Sequence, residues 1–196
     1  MSYQAPFLSI HRNIRYLEAE ENPLVNMIEL CRNQDWEALK TAVTDYQEYL
    51  STALRSFCDS LKKDFFLVGE MLHGDYNRLM NDSMLHSVTN YECYKGLYSS
   101  FNSMNMFEIV HSLLRQFGPE NWTLYKGKHL LSFVDNHDVT RVASILTNEA
   151  HLPLIYALMF GMPGIPCVYY GSEWGAKADK SQGDPALRAS FDAPEE

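Results

Sequence analysis

Phe65-Phe66-Leu67-Val68-Gly69-Glu70 runs apolar and small residues straight into a single carboxylate. Lys62-Lys63-Asp64 precedes it, and Met71-Leu72-His73-Gly74-Asp75-Tyr76 follows as a glycine-containing loop. A short apolar run with such borders reads as a buried strand. Its lack of alternation is what a parallel strand covered on both faces shows. Open sheets and barrels of the α/β class place their chemistry where parallel strands end, so Glu70 stands at a position of interest.

The pattern on either side agrees. Asn22-Pro23 is a helix start, with Leu24, Met27, Ile28 and Cys31 on one face. Asp35 caps a longer helix whose Trp36, Leu39, Val43, Tyr46, Leu50, Leu54, Phe57 and Leu61 recur at steps of three and four, the mark of a face packed on a core. Residues 1 to 20 form a mixed, partly helical stretch. Beyond Glu70, strands and helices alternate. A short helix is expected over Tyr76 to Asn81, a strand over Ser87-Val88-Thr89-Asn90-Tyr91, and helices over Cys93 to Phe101 and Met104 to Phe117. A third strand is Leu130-Leu131-Ser132-Phe133-Val134-Asp135, with a helical turn over Thr140 to Leu146 and a helix over Leu152 to Phe160. Ile165-Pro166-Cys167-Val168-Tyr169-Tyr170 is the fourth strand, and the tail from Gly175 reads as loop. Four strands separated by helices imply parallel pairing with right-handed crossovers.

The chain has 196 residues, 46% hydrophobic and 21% charged, which fits a globular domain with a sizeable core. A net charge of -9 argues against a nucleic-acid partner, which needs a basic face. Nothing approaches about 18 consecutive apolar residues, so no membrane span is expected, and the N-terminus has no leader pattern. Cys31, Cys58, Cys93 and Cys167 lack pair spacing, so neither a zinc site nor a disulfide framework is expected, and reduced thiols fit a cytoplasmic location.

Phe133-Val134-Asp135-Asn136-His137-Asp138 packs two carboxylates, an amide and an imidazole together. Such a density of donors and acceptors suits a ligand rich in hydroxyls, each of which donates and accepts. Glu70 and Asp138, at the exits of different parallel strands, are expected to converge, and two carboxylates flanking a glycosidic bond can supply acid, base and charge stabilisation. A serine nucleophile lacks its Gly-x-Ser-x-Gly elbow. His137 and Asp138 alone make only half a metal site.

Val68-Gly69-Glu70, the Phe133–Asp138 block and Gly164-Ile165-Pro166-Cys167-Val168-Tyr169-Tyr170-Gly171-Ser172-Glu173 occur in an order that resembles the C-terminal half of the α-amylase family catalytic barrel, glycoside hydrolase family 13. The Ser87 to Glu92 stretch with Asn90-Tyr91 resembles strand six of its maltodextrin-acting members, His73-Gly74-Asp75 the loop after their catalytic Glu, and Gly183-Asp184-Pro185-Ala186-Leu187-Arg188 the loop after strand eight, so the likeness covers about residues 54 to 192. It implies strands five to eight of a (β/α)8 barrel, about four β/α units over residues 63–196, after a helical N-terminal segment over 1–62. In the resemblance Glu70 matches the general acid/base, buried beside another carboxylate, and Asp138 matches the carboxylate that stabilises the transition state. His137, Asn136 and Arg188 match substrate-binding positions. Asp135 is expected to brace the loop, and Tyr76, Trp122 and Trp174 are candidates for stacking on sugar rings. No cofactor and no metal are carried over.

The resemblance also sets a gap. The nucleophilic aspartate of the retaining mechanism belongs to a Gly-x-Arg-x-Asp pattern before Glu70, and no such pattern occurs; Leu54-Arg55-Ser56-Phe57-Cys58-Asp59 does not fit it. A full barrel takes roughly 250 residues, and only about half of one fits after Lys63. The implied function is thus a glycosidase-type domain for α-linked glucans or maltooligosaccharides, incomplete and inactive alone. The alternative is a non-catalytic half-barrel that binds carbohydrate or completes a partner, its open strand edges inviting self-association or a complementary half.

Overall fold

In a computed structural model, the chain is described from residue 23 to residue 191. The expected helical character of residues 1 to 20 and the cap at Asn22 lie outside the described residues. The chain divides into two compact units after residue 57.

The first unit holds α1 (Pro23–Arg32) and most of α2 (Trp36–Leu61). Asp35 begins α2 as its sequence position predicts, its Oδ1 accepting from the Ala38 N–H at 3.1 Å. The apolar stripe of α2 is not packed as expected. Trp36, Val43, Leu50, Leu54, Phe57 and Leu61 are exposed, and Cys58 is the helix's only buried residue. Periodicity shows which face a helix can bury; whether another surface covers it is a separate fact.

In the second unit β1 (Val68–Gly69) pairs in parallel with β2 (Ser87–Val88), and β3 (Leu131–Ser132) with β4 (Ile165–Pro166). A parallel bridge from Thr89 to Leu131 joins the two pairs, so the strands lie side by side in chain order. Helices α3 (Tyr91–Ser103) and α4 (Phe107–Phe117) cross from β2 to β3; α5 (Val142–Ile145) and α6 (Leu152–Gly161) cross from β3 to β4. The crossover between β1 and β2 carries a single 3-10 turn, Tyr76–Arg78.

Two expectations fail here. The run ending at Glu70 is not buried on both faces: Leu67 is buried, while Phe65, Phe66 and Val68 are exposed. Its ladder is two residues long and, among the described residues, has a partner on one edge only; Leu67 packs inward while its neighbours Phe66 and Val68 point outward. The tail is not all loop either. Asp179 and Gln182 form a capping box over Lys180–Gln182, and α7 (Asp184–Leu187) follows Gly183 with Pro185 in its first turn.

Two apolar clusters hold this unit together. One gathers Cys93, Leu97 and Phe101 of α3, Ile109 of α4, Val134, Val142, and Ile155 and Met159 of α6. The other gathers Leu67, Tyr76, Met80, Val88, Tyr125 and Leu130 beneath β1 and β2. Gly96 lets α3 approach α4 closely, since a Cβ there would stand 3.2 Å from the Ile109 Cα. Each fully buried aliphatic side chain contributes about 1.5–3 kcal/mol, so these clusters fix where the strand ends lie.

Candidate active site

The C-terminal ends of β1, β2 and β3 carry the polar residues of interest. Asn90 begins α3 directly after β2, its Oδ1 accepting from the Cys93 N–H at 3.1 Å. Fully buried, it also exchanges two hydrogen bonds with the Gln116 amide of α4, at 2.8 and 3.1 Å. A satisfied buried amide pair has one geometry, and it sets the first residue of α3 in place. That residue is Tyr91, braced edge-on against Phe133 with ring centroids 4.9 Å apart.

The Tyr91 hydroxyl donates to Glu70 Oε1 at 2.7 Å and accepts from the Asn136 amide at 2.9 Å. Burial pushes the Tyr91 phenol up to about 12, the Glu70 carboxylate adding to the shift, so it stays a donor at neutral pH. Asn136 Oδ1 accepts from the Asp138 N–H at 2.9 Å, which shapes the turn after β3. The His137 Nε2 lies 3.2 Å from Asp138 Oδ2, and Arg188 donates to Asp138 Oδ1 at 2.7 Å and to the His137 carbonyl at 3.2 Å. Ligand atoms of Glu70, His137 and Asp138 all fall within 4.8 Å of one another. The structure therefore brings together Glu70, Asn136, His137, Asp138 and Arg188, although Glu70 and Arg188 are far apart in the chain. It departs from expectation in one respect: Glu70 is exposed, and among the described residues β1 has no neighbour on its outer edge.

Below this group, Asp135 braces the loop. It is buried, and its Oδ2 accepts from the Val142 N–H at 2.8 Å and from the Ser172 hydroxyl at 2.7 Å. Burial holds its carboxyl above the usual range. A raised carboxyl favours the fold when protonated, so this contribution is full below the ordinary value of 3.8 and is lost as pH rises through the raised one. Wild type should accordingly hold its greatest advantage over Asp135→Asn at low pH and lose ground towards pH ~7. Urea unfolding of both proteins across that window checks the sign.

Two residues of this assembly carried no expected site role. Tyr91 was read as the end of a strand; an asparagine followed by a helix-period pattern was the signal for a capped start there. Arg141 falls inside the helical turn expected over Thr140 to Leu146, and in the structure it stands just before α5. It is fully buried, donating to the Tyr170 carbonyl, to Ser172 Oγ at 3.0 Å and to the Leu187 carbonyl at 2.8 Å, and it lies 4.2 Å over the Tyr169 ring. It thereby ties the segment carrying Arg188 to the end of β4. Of the candidate stacking aromatics, Tyr76 is a core residue, buried and stacked on Tyr125, while Trp122 and Trp174 are exposed.

Residues 21–193 match the family described as alpha amylase, catalytic domain. The chain belongs to the α-amylase catalytic-domain family. The match begins well before residue 54, so the N-terminal helices fall within the family's span, further than the motifs reached. Alpha-amylase 3 of Dictyoglomus thermophilum is 28% identical over 148 residues, covering 69% of this chain and 27% of that protein. The intracellular maltogenic amylase of Bacillus subtilis is 25% identical over 130 residues, 65% of this chain and 21% of that one. The chain thus spans about a quarter of the length of these curated relatives. Among solved structures, the cyclic α-maltosyl-(1→6)-maltose hydrolase of Arthrobacter globiformis superposes with a TM-score of 0.57 at 22% identity, over 74% of this chain and 32% of that one. The α-amylase of Geobacillus thermoleovorans, solved with acarbose, gives 0.56 at 22% identity over 72% and 35%. These likenesses show a shared mixed α/β fold. Among the described residues of this family member, no helix is long and apolar enough to cross a membrane.

Proposed function

We propose that the chain is a glycoside hydrolase-type domain for α-linked glucans or maltooligosaccharides, built as strands five to eight of the family barrel over residues 63–196 behind a helical segment over 1–62. The observation that carries the reading is the meeting of Glu70, His137 and Asp138 from two different strand ends within 4.8 Å. In the chemistry this supports, Glu70 gives its proton to the leaving glycosidic oxygen and takes one back from the incoming hydroxyl. The Tyr91 hydroxyl occupies one Glu70 oxygen and leaves the other for that transfer. Asp138, oriented by Arg188, sets its negative charge against the oxocarbenium-like transition state. His137 and Asn136 serve the sugar hydroxyls.

The covalent step of a retaining enzyme needs a nucleophilic carboxylate besides these two groups, and the Gly-x-Arg-x-Asp pattern that would carry it does not occur in the sequence. Asp59 lies on α2, not at a strand end. The chain alone is therefore proposed to bind glucan without turning it over, in the cytoplasm, and to pair with a second copy or a complementary half-barrel along the outer edges of β1 and β4, which have no partner strand among the described residues.

Maltotriose is expected to bind wild type, with His137→Ala weakening it about 3- to 10-fold, the range for one hydrogen bond. Isothermal titration of both proteins tests this; unchanged binding in the variant, or none in wild type, overturns it. Purified chain should release no p-nitrophenol from a p-nitrophenyl α-glucoside. Release that Glu70→Gln abolishes would show a working nucleophile after all.

A further inference from the structure

We infer that Glu70, His137 and Asp138 form a binding site for one divalent transition-metal ion of the zinc type. In sequence His137 and Asp138 offer two donors and no third; the fold supplies it by bringing Glu70 from the end of β1. The three ligand atoms lie within 4.8 Å of one another, and His137 Nε2 and Asp138 Oδ2 are 3.2 Å apart. Zinc bonds of about 2.0–2.1 Å in tetrahedral array place neighbouring donors roughly 3.4 Å apart, so this pair already stands at ligand spacing, with a Glu70 oxygen within 4.8 Å of both. Imidazole with two carboxylates suits zinc, cobalt or nickel, whereas calcium and magnesium take oxygen donors almost throughout.

The surroundings match what holds metal ligands in place. Tyr91 ties Glu70 by Oε1, and Arg188 ties Asp138 by Oδ1, which leaves the Oδ2 facing His137 for an ion. Glu70 and His137 are exposed and Asp138 half-buried, so an ion can reach the trio from solvent and keep a water at its fourth position. Glu70 supplies a carboxylate that pairs with no cation among the described residues, while the Asp138 charge is shared between the ion and Arg188. Ion and sugar would use the same atoms, so zinc excludes glucan and glucan excludes zinc. The metal site itself needs only the three side chains and does not rest on the glucan reading.

Titration of the full chain with zinc chloride tests it, in a Cys31→Ser background because Cys31 presents an exposed thiol. One zinc per chain is expected, with affinity reduced more than about tenfold by Glu70→Gln and again by His137→Ala. Cobalt in place of zinc should give visible absorption free of any thiolate-to-metal charge-transfer band. Both replaced residues are exposed, and far-ultraviolet circular dichroism confirms that each variant is folded. No binding, equal binding in both variants, or a thiolate band overturns the inference. Zinc binding by a chain that ignores maltotriose upholds the metal site and overturns the sugar reading; sugar binding without zinc does the reverse.

Discussion

Replacing Arg141 with methionine is expected to lower the unfolding free energy by about 3–5 kcal/mol, the usual cost of breaking a buried charged network from one side. Arg141 is fully buried and its guanidinium supplies donors to two backbone carbonyls and to Ser172, which in turn donates to buried Asp135. Methionine keeps much of the volume, so the loss is one of hydrogen bonds and charge. It strands the Tyr170 and Leu187 carbonyls and leaves the Asp135 carboxylate without the nearby cation that favours its charged form. The melting temperature should fall by roughly 10 °C for a unit of this size. Thermal unfolding followed by circular dichroism checks it, and a variant within 2 °C of wild type would refute the network's importance.

Gly164→Ala is expected to be nearly as costly, at about 3 kcal/mol or more. Gly164 has φ +130°, a conformation L side chains rarely adopt, and its Cβ would stand 2.7 Å from the Leu130 carbonyl oxygen and 2.9 Å from Ser132 Oγ. The carbonyl is backbone, and the same oxygen accepts from the Ile165 N–H at 2.8 Å in the pairing of β3 with β4. Relief of the clash therefore means separating the strands. Urea unfolding measures the loss, with Gly161→Ala as control because a Cβ at Gly161 meets nothing within 4 Å.

The local parts of this molecule were readable in advance. Helix starts at Asp35, the alternation of strands with helices, and the polar block after β3 each rest on a few adjacent residues, and the structure has them where the pattern placed them. The meeting of Glu70 with Asp138 was also legible, because parallel strands open on a common face. What escaped depends on neighbours that periodicity does not encode. Phe65, Phe66 and Val68 form an apolar run, yet among the described residues no second strand lies beyond them. The stripe of α2 has the spacing of a buried face and is exposed. Arg141 carries the charge of a surface residue and sits in the interior because three acceptors from distant segments close around it. Tyr91 ends the strand expected over Ser87 to Tyr91, whereas in the structure Asn90 caps a helix that begins at Tyr91.

The side-by-side order of the strands bears on how such a chain can be lengthened or cut. Each strand pairs with the one next to it in sequence, through a crossover that carries helices or, between β1 and β2, one 3-10 turn, and among the described residues no strand is inserted between two of these neighbours. A β/α unit can then be appended at either end, or removed from it, without re-routing what remains. A break between units would, however, divide the apolar cluster that α3 and α4 share with Val134, Val142 and α6, so each appended unit supplies part of the core of the one before it.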